Sequence, residues 1–332
     1  MLARYAQAIS RRNEISYLCE RNRPRGGEAL SIFSLQLALR GSRIVSRQTR
    51  LPIVALCVFL AGCAATPPAA SPPPAETAKP ATALQYLYGS AEAEVAVRAT
   101  NARIADYAVR RIKARPADSV ILASGATLDA PRFEPCGDKP FAAVFDADET
   151  LIWNLGATRY MGERGIGFDP KIWDSWEKTG AGAAKAMPGT VAMVSALRAA
   201  GITVIANTNR SAANAAGTEA TLRAAGLGEF KHGETLFLAG DDADGSSKDG
   251  RRATIAARWC VIAMAGDQLG DFSQQFNDKA LAPAARTALA TGPAAARLWD
   301  KGWFLFPNPV YGPWDRLGWD DLFPSDTNWE PK

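Results

Sequence analysis

Histidine is almost absent from this sequence, and its scarcity restricts the possible chemistry. The chain has 332 residues and a single histidine, His232. Mechanisms that need two or more histidines are therefore excluded, and most catalytic zinc sites with them. Catalysis by a Ser-His-Asp triad is left with one candidate base. We expect His232 to lie in a surface loop without a catalytic role.

Long hydrophobic runs are also missing. The apolar run LPIVALCVFLAG at 51–62 is too short to cross a bilayer as a helix. Arginines precede it and small residues follow it, a pattern typical of a secretory signal, although a buried strand or core helix is the alternative. The segment Leu60–Cys63 resembles the bacterial lipobox, in which the cysteine is lipidated and becomes the first mature residue. This predicts lipidation of Cys63.

The sequence before the main domain divides into two parts. Residues 1–62 are interpreted as a leader, whose true start codon stays open. Residues 63–82 are rich in proline and alanine and predict an extended, solvated tether. Residues 83–332 form the globular domain. We expect export and attachment to the bacterial cell envelope through the lipid alone. Ala64, which follows the lipidated cysteine, is not an acidic retention residue. Resemblance to lipoprotein sorting in Gram-negative bacteria therefore favours the outer membrane.

An excess of basic charge is confined to the leader. The whole chain has a formal net charge of +4, yet residues 1–62 hold 10 arginines and 3 glutamates. The remaining residues hold 28 basic and 31 acidic side chains. A nucleic acid polymer is therefore not an expected partner. With 47% apolar and 22% charged residues, the chain is too apolar to be disordered.

Cysteine is scarce in the expected mature domain. Of five cysteines, only Cys136 and Cys260 lie beyond the leader and the lipidation site. Both stand just before or at the start of an apolar run, in a protein expected to be exported. If those runs are neighbouring strands of a parallel sheet, a disulfide is feasible. Two buried free cysteines are the alternative.

The body of the chain alternates apolar runs with helical stretches. Residues 83–115 predict one or two helices before the sheet begins. Five short apolar runs follow: FAAVFDAD at 141–148, GITVIANT at 201–208, LFLAG at 236–240, WCVIAMAGD at 259–267 and WFLFP at 303–307. Strands that are apolar throughout and separated by helices predict an α/β fold, with a doubly wound parallel sheet covered on both faces. Ligands of such sheets bind at the carboxyl ends of the strands.

Polar side chains occur at these strand ends. Asp146 and Asp148 follow the first run, where two mutually repelling carboxylates indicate a cation or proton transfer. A helix cap is the alternative. The second run ends in Thr208-Asn209-Arg210, three groups suited to an oxyanion, although a simple turn would also explain them. The fourth ends in a second acid pair, Asp267 and Asp271.

A lysine, Lys248, lies between the second and fourth runs in a loop that opens a helix. The ordered set of acid pair, hydroxyl, lysine and second acid pair resembles the motif series of the haloacid dehalogenase-like (HAD) phosphatases. Further segments resemble the class C acid phosphatases, bacterial lipoproteins of the 5′-nucleotidase type. These segments include Ser90-Ala91-Glu92, Gly167-Phe168-Asp169 and Pro307-Asn308-Pro309-Val310-Tyr311-Gly312. Trp153 and Ala93 depart from that family's usual residues, outside the catalytic set.

The resemblance implies a HAD-like, Rossmannoid fold with N-terminal helices and a small cap-like insertion. It implies Asp146 as a nucleophile that forms an aspartyl-phosphate, and Asp148 as a general acid and base. Mg²⁺ would be held by Asp146, the Asp148 carbonyl and Asp267, and Asp271 would bind it through water or orient Asp267. Phosphate would contact three further residues: Thr208, Asn209 and Lys248.

The expected substrate is a small phosphomonoester. The resemblance implies base stacking on Trp173 and Tyr311, and hence a nucleoside 5′-monophosphate, although both residues could be ordinary packing aromatics. Two alternatives to a hydrolase stay open: a non-catalytic nucleotide- or heme-binding lipoprotein on the same fold, and a phosphotransferase. The sequence leaves the oligomeric state open.

Overall fold

The computed structural model describes residues 79–332. The expectations for the leader at 1–62, for Cys63 and for most of the tether lie outside the described residues. Among the residues described, no helix combines the length and the apolar character needed to cross a membrane.

The described elements follow the expected alternation of strands and helices. The strands are β1 (Asp118–Leu122), β2 (Phe133–Pro135), β3 (Phe141–Phe145), β4 (Ile152–Trp153), β5 (Lys185–Ala186), β6 (Thr203–Ser211), β7 (Leu236–Ala239), β8 (Cys260–Gly266) and β9 (Trp303–Leu305). The α-helices are α1 (Thr82–Gly89), α2 (Ala91–Lys113), α3 (Leu155–Glu163), α4 (Pro170–Thr179), α5 (Thr190–Ala199), α6 (Ala215–Ala224), α7 (Asp249–Arg258), α8 (Pro283–Thr291), α9 (Pro293–Ala296) and α10 (Trp319–Leu322).

The five apolar runs form one parallel sheet in the order β7-β6-β3-β8-β9. Strand β3 is central, with Ala142 opposite Thr203 of β6 and Val261 of β8. Every residue of β8 is buried, as expected for a strand whose two faces are both covered. The expected α/β fold with a parallel sheet covered on both faces is confirmed.

The two faces of the sheet carry separate cores. Because successive side chains of a strand point to opposite faces, Ala143 and Phe145 belong to one core and Ala142 and Val144 to the other. The first core includes residues of α2, α5 and α6. The second is built on α7 and on an aromatic group that centres on Trp303. Helical layers on both sides bury the apolar strands and fix the sheet edge that holds the site.

Two helices precede the sheet, within the range of the expectation. Ser90 separates them and caps α2, because its Oγ accepts a hydrogen bond from Ala93 N at 3.0 Å. Asn101 of α2 is buried and donates to the Pro188 carbonyl at 2.9 Å. Helix α2 is thereby joined to the segment that leads into α5.

An antiparallel hairpin, β1 with β2, follows α2 and was not anticipated from the sequence. Cys136 comes directly after β2 and forms a disulfide with Cys260, the first residue of β8, with a Cα–Cα distance of 4.6 Å. The bond ties the hairpin to the amino end of a central strand, the end opposite the site.

The expected cap-like insertion lies between β3 and β6. Strands β4 and β5 pair in antiparallel fashion, with Ile152 opposite Ala186, and close the base of the insertion. Helices α3 and α4 lie between them. The insertion thus starts only a few residues beyond the first acid pair, which places its helices beside the carboxyl end of β3.

Candidate active site

One cavity of about 810 Å³ opens at the carboxyl ends of the parallel strands. It is lined by all nine residues expected to bind metal, phosphate or substrate: Asp146, Asp148, Trp173, Thr208, Asn209, Lys248, Asp267, Asp271 and Tyr311. These residues are spread over much of the sequence and come together because parallel strands present their carboxyl ends on one edge. His232 is not among the lining residues; its Nε2 lies 2.6 Å from Asp241 Oδ1.

Lys248 lies between two carboxylates at the floor of the cavity. Its ammonium group is buried and donates to Asp146 Oδ1 and, at 2.7 Å, to Asp271 Oδ1. Burial by itself would lower the pKa of Lys248, but the two carboxylates raise it. The lysine therefore stays charged where a phosphate group would enter.

Asp146 is held in an environment that opposes its ionisation. Burial raises the pKa of Asp146 to about 7, an effect that Lys248 reduces and the neighbouring Asp271 increases. Burial, and next the charges of Asp271 and Asp146, raise the pKa of Asp267 well above its ordinary value. Further positive charge in the site would favour the ionised form of both acids.

Three carboxylates form a candidate metal centre. Asp146, Asp267 and Asp271 each offer an oxygen, and these oxygens lie within 4.8 Å of one another. When all three carboxylates are ionised, Lys248 offsets one of the negative charges, and about two remain in a buried place. Oxygen ligands with this excess suit a hard divalent cation. The donor set therefore fits the metal that the motif series implies.

Asp267 and Asp271 are fixed by their surroundings. Asp267 Oδ2 accepts from Asn308 Nδ2 at 2.8 Å, and Asp271 Oδ2 accepts from the backbone N–H of Gln268 at 2.9 Å. Gly266 permits the second contact, because a Cβ at this position would stand 2.2 Å from Asp271 Oδ2. The sequence analysis did not predict the contact of Asn308 with Asp267. The position of Asn308 just beyond β9, at another strand end, was a signal for it.

The Asp148 side chain lies outside the group of three carboxylates. Arg210 forms a buried ion pair with it, with 2.8 Å between Arg210 Nη2 and Asp148 Oδ1. Of the two interpretations that the sequence left open for Arg210, the structure does not favour an oxyanion group, because the guanidinium binds Asp148 and does not line the cavity. The register of β6 against β7 is irregular beyond Asn207, and this local geometry could not be read from the sequence.

Thr208 and Asn209 occupy different environments at the end of β6. Thr208 is fully buried and lines the cavity. The amide of Asn209 is already engaged within the protein: Nδ2 donates to the Ser246 carbonyl at 3.0 Å, and Oδ1 accepts from Arg251 at 2.6 Å. Asn209 thus joins β6 to the loop that carries the buried lysine.

Glu149 is a buried carboxylate that sequence reasoning did not single out. Its backbone has a φ of 53°, the left-handed conformation, within the tight turn after β3. Its side chain accepts hydrogen bonds from the hydroxyls of Tyr311 at 2.7 Å and Tyr88 at 3.1 Å. Burial, and next the charge of Asp148, raise the pKa of Glu149. The turn thereby fixes the ring of Tyr311 at the cavity wall.

One side of the cavity is apolar. Trp173 of α4 packs near Phe168, with ring centroids 6.1 Å apart. Leu84 of α1 and Met161 of α3 line the same region. Trp314 does not line the cavity. The cavity therefore combines a charged floor with an aromatic and aliphatic wall, as small-molecule sites often do.

Comparisons with known proteins agree with this arrangement. Residues 76–314 match the family described as HAD superfamily, subfamily IIIB (acid phosphatase). A class C acid phosphatase from Bacillus anthracis, solved with tungstate bound, is similar over 75% of this chain and 90% of that chain, with 20% sequence identity and a TM-score of 0.55. A second structure of class C acid phosphatase from that organism is 22% identical, covers 75% of this chain and 89% of its own, and has a TM-score of 0.53. No curated protein sequence matches the chain.

Proposed function

The chain belongs to the subfamily IIIB acid phosphatases of the HAD superfamily, and we propose that it hydrolyses small phosphomonoesters with Mg²⁺ through an aspartyl-phosphate on Asp146. The observation that carries the proposal is the buried contact of Asp146 with Lys248 inside a group of three carboxylates. A carboxylate so placed has a cationic group beside it and a cavity in front of it.

The reaction is divided between two aspartates. A carboxylate oxygen of Asp146 attacks phosphorus, and the bond between phosphorus and the leaving oxygen breaks. Asp148 enters the reaction with a proton on one carboxyl oxygen and gives this proton to the leaving oxygen. A water molecule then attacks the phosphorus of the aspartyl-phosphate and gives a proton to Asp148. Inorganic phosphate leaves, and both aspartates regain their starting states.

The charged residues lower the repulsion between an anionic nucleophile and an anionic substrate. Lys248 binds a phosphate oxygen while it contacts Asp146, and Thr208 donates its hydroxyl to another. Asp146, Asp267 and Asp271, with the backbone carbonyl of Asp148, would hold Mg²⁺. The ion supplies positive charge for the transferring phosphoryl group. The chain's own part is to hold these oxygens close together at the floor of the cavity.

The substrate we propose is a nucleoside 5′-monophosphate. Tyr311 and Trp173 line the same cavity as Asp146, and the hydroxyl of Tyr311 is fixed by Glu149. A cavity of about 810 Å³ accommodates a small molecule of this size. Stacking of a base on an aromatic ring is worth roughly 1–3 kcal/mol.

A screen of phosphate release tests the proposal. The full chain is incubated with nucleotides, sugar phosphates and an aryl phosphate, with Mg²⁺ or with EDTA. We expect release to require the metal, and Asp146→Asn to reduce it to background. Asp106→Asn is the matched control, because Asp106 lies exposed on α2. Retained turnover in Asp146→Asn would refute the nucleophile, and equal rates for sugar phosphates and nucleotides would refute the substrate.

We further propose that residues 1–62 are removed and that a lipid on Cys63 anchors the enzyme to the cell envelope. The support is the sequence pattern of basic residues, short apolar run and lipobox-like segment. The domain that follows the tether begins with α1 at Thr82. Mass spectrometry of the protein from bacterial membranes tests this: a diacylglyceryl Cys63 at the amino terminus is expected. An unmodified Cys63 would contradict the proposal.

A further inference from the structure

Asp148 is held by two side chains that take no part in the proposed chemistry. Arg210 donates to Asp148 Oδ1 from Nε at 2.9 Å and from Nη2 at 2.8 Å. Asn154 donates to the same oxygen from Nδ2 at 2.9 Å. Asp148 Oδ2 receives only a longer bond, from Arg210 Nε at 3.2 Å. One carboxylate oxygen is therefore fully occupied, while the other keeps accepting capacity and can donate once it carries a proton.

The two holding residues are themselves fixed. Asn154 Oδ1 accepts from Arg210 Nη2 at 2.8 Å and from Trp176 Nε1 at 2.8 Å. The amide orientation of Asn154 follows from these bonds, because an oxygen must face the two N–H donors. Asn154 also follows β4 directly, at the start of the cap-like insertion, and it is buried. The group connects the turn after β3, the end of β6 and helix α4.

Stability alone does not explain the buried arginine. The Arg210 side chain has no exposed surface, and its Nη1 finds no hydrogen-bond partner in the described part of the chain. A buried ion pair with an unsatisfied N–H is often no more stabilising than apolar residues of similar size. The pair therefore points to a positional function, since a guanidinium fork holds a carboxylate in one plane.

We propose that Arg210 and Asn154 are positioning residues that turn Oδ2 of Asp148 toward the leaving-group oxygen of the substrate. The inference rests on the proposed role of Asp148 as general acid. With Oδ1 occupied, the proton that moves to the leaving oxygen is carried on Oδ2, and the same atom takes the proton of the attacking water. Arg210 does not line the cavity, and Asn154 acts on the proton transfer through its hydrogen bond to Asp148.

Two substrates whose leaving groups differ in basicity distinguish the positioning of Asp148 from a general effect on the fold. An alkyl phosphate releases a strongly basic alkoxide and needs the proton from Asp148, whereas 4-nitrophenyl phosphate releases a weakly basic phenolate and needs it little. The test measures kcat/KM for glycerol 2-phosphate and for 4-nitrophenyl phosphate, with Mg²⁺ present. The ratio of the two values does not depend on how much of a variant is correctly folded.

Arg210→Lys keeps the charge but loses the planar fork. We expect kcat/KM for glycerol 2-phosphate to fall about tenfold more than kcat/KM for 4-nitrophenyl phosphate, since general acid catalysis contributes roughly 10²–10⁴ and misplacement removes part of it. Asn154→Ala should change the ratio in the same direction and serves if Arg210→Lys yields no folded protein. Arg223→Lys is the matched control, because Arg223 of α6 forms an exposed ion pair with Glu229.

Asp148→Asn distinguishes the general acid role of Asp148 from the positioning role of Arg210 and Asn154. A changed ratio in Asp148→Asn with an unchanged ratio in Arg210→Lys and Asn154→Ala would overturn the positioning role alone. An unchanged ratio in Asp148→Asn would overturn the general acid and the positioning role together. Equal losses for both substrates in Arg210→Lys would show that the arginine acts on the fold and not on proton transfer.

Discussion

Replacing Lys248 by methionine should destabilise the protein strongly when no metal is present. The lysine is buried between Asp146 and Asp271, with side chains exposed by 5%, 9% and 9% of their surface. The variant keeps the volume of the side chain but leaves two buried carboxylates without their cation. Removing one partner of a buried pair costs about 3–5 kcal/mol. We expect a loss in that range from the free energy of unfolding.

Guanidinium chloride denaturation at pH 7 with EDTA measures this loss. The double variant Lys248→Met/Asp271→Asn should recover at least about 1 kcal/mol, because the second change removes a carboxylate that the first left unpaired. Lys231→Met is the matched control: Lys231 forms an exposed ion pair with Glu234, and its loss should cost no more than about 1 kcal/mol.

Two outcomes would refute this reasoning. A loss below about 1 kcal/mol in Lys248→Met would mean that the buried lysine contributes as little as an exposed one. Strict additivity in the double variant would mean that Lys248 and Asp271 do not interact. Phosphatase activity of Lys248→Met provides a separate reading, and we expect a decrease of roughly 10²–10³-fold that Mg²⁺ does not reverse.

Three further predictions concern pH, the disulfide and the metal. Folding raises the pKa of Asp146 from 3.8 to about 7, so the protonated carboxyl contributes to stability below pH 3.8 and this contribution is lost as pH rises through about 7. Without metal, the free energy of unfolding of the unchanged protein should therefore fall over this pH range relative to that of Asp146→Asn. A constant difference between the two proteins would contradict the shift. Replacing Cys136 and Cys260 by alanine opens a loop with a sequence separation of 124, and denaturation should show a loss of about 5 kcal/mol. Gly266→Ala should displace Asp271 and weaken Mg²⁺ binding about tenfold or more in a calorimetric titration; unchanged affinity would show that the close approach is dispensable.

The strand ends illustrate what could be predicted about the site. Asp146, Thr208 and Asp267 each stand at the end of an apolar run, and a parallel sheet brings such ends to one edge. The pattern of apolar runs in the sequence therefore predicted that these three residues lie close together. The hairpin of β1 and β2 escaped prediction because β2 has only three residues, too few to show an alternating pattern.

The partners of long polar side chains escaped prediction for a different reason. The sequence left open whether Arg210 serves an oxyanion or belongs to a simple turn, and in the structure it binds Asp148 at a sequence separation of 62. A guanidinium at a strand end can reach several acceptors, and the choice depends on the exact path of β6 and on Asn154 in another element. Glu149 was likewise missed, since its two tyrosine partners come from opposite ends of the domain.

The sequence by itself determined the parallel α/β architecture and the polar residues at three strand ends, because apolar periodicity and strand-end polarity are local properties of the chain. The family resemblance, and not the periodicity, added Trp173 and Tyr311. Only the tertiary structure decided which oxygen of Asp148 receives fewer hydrogen bonds, that Lys248 bridges Asp146 and Asp271, and that Glu149 holds Tyr311. Each of these depends on hydrogen bonds between segments distant in sequence. Such bonds are directional and short in range, so they are set by packing and not by the local pattern.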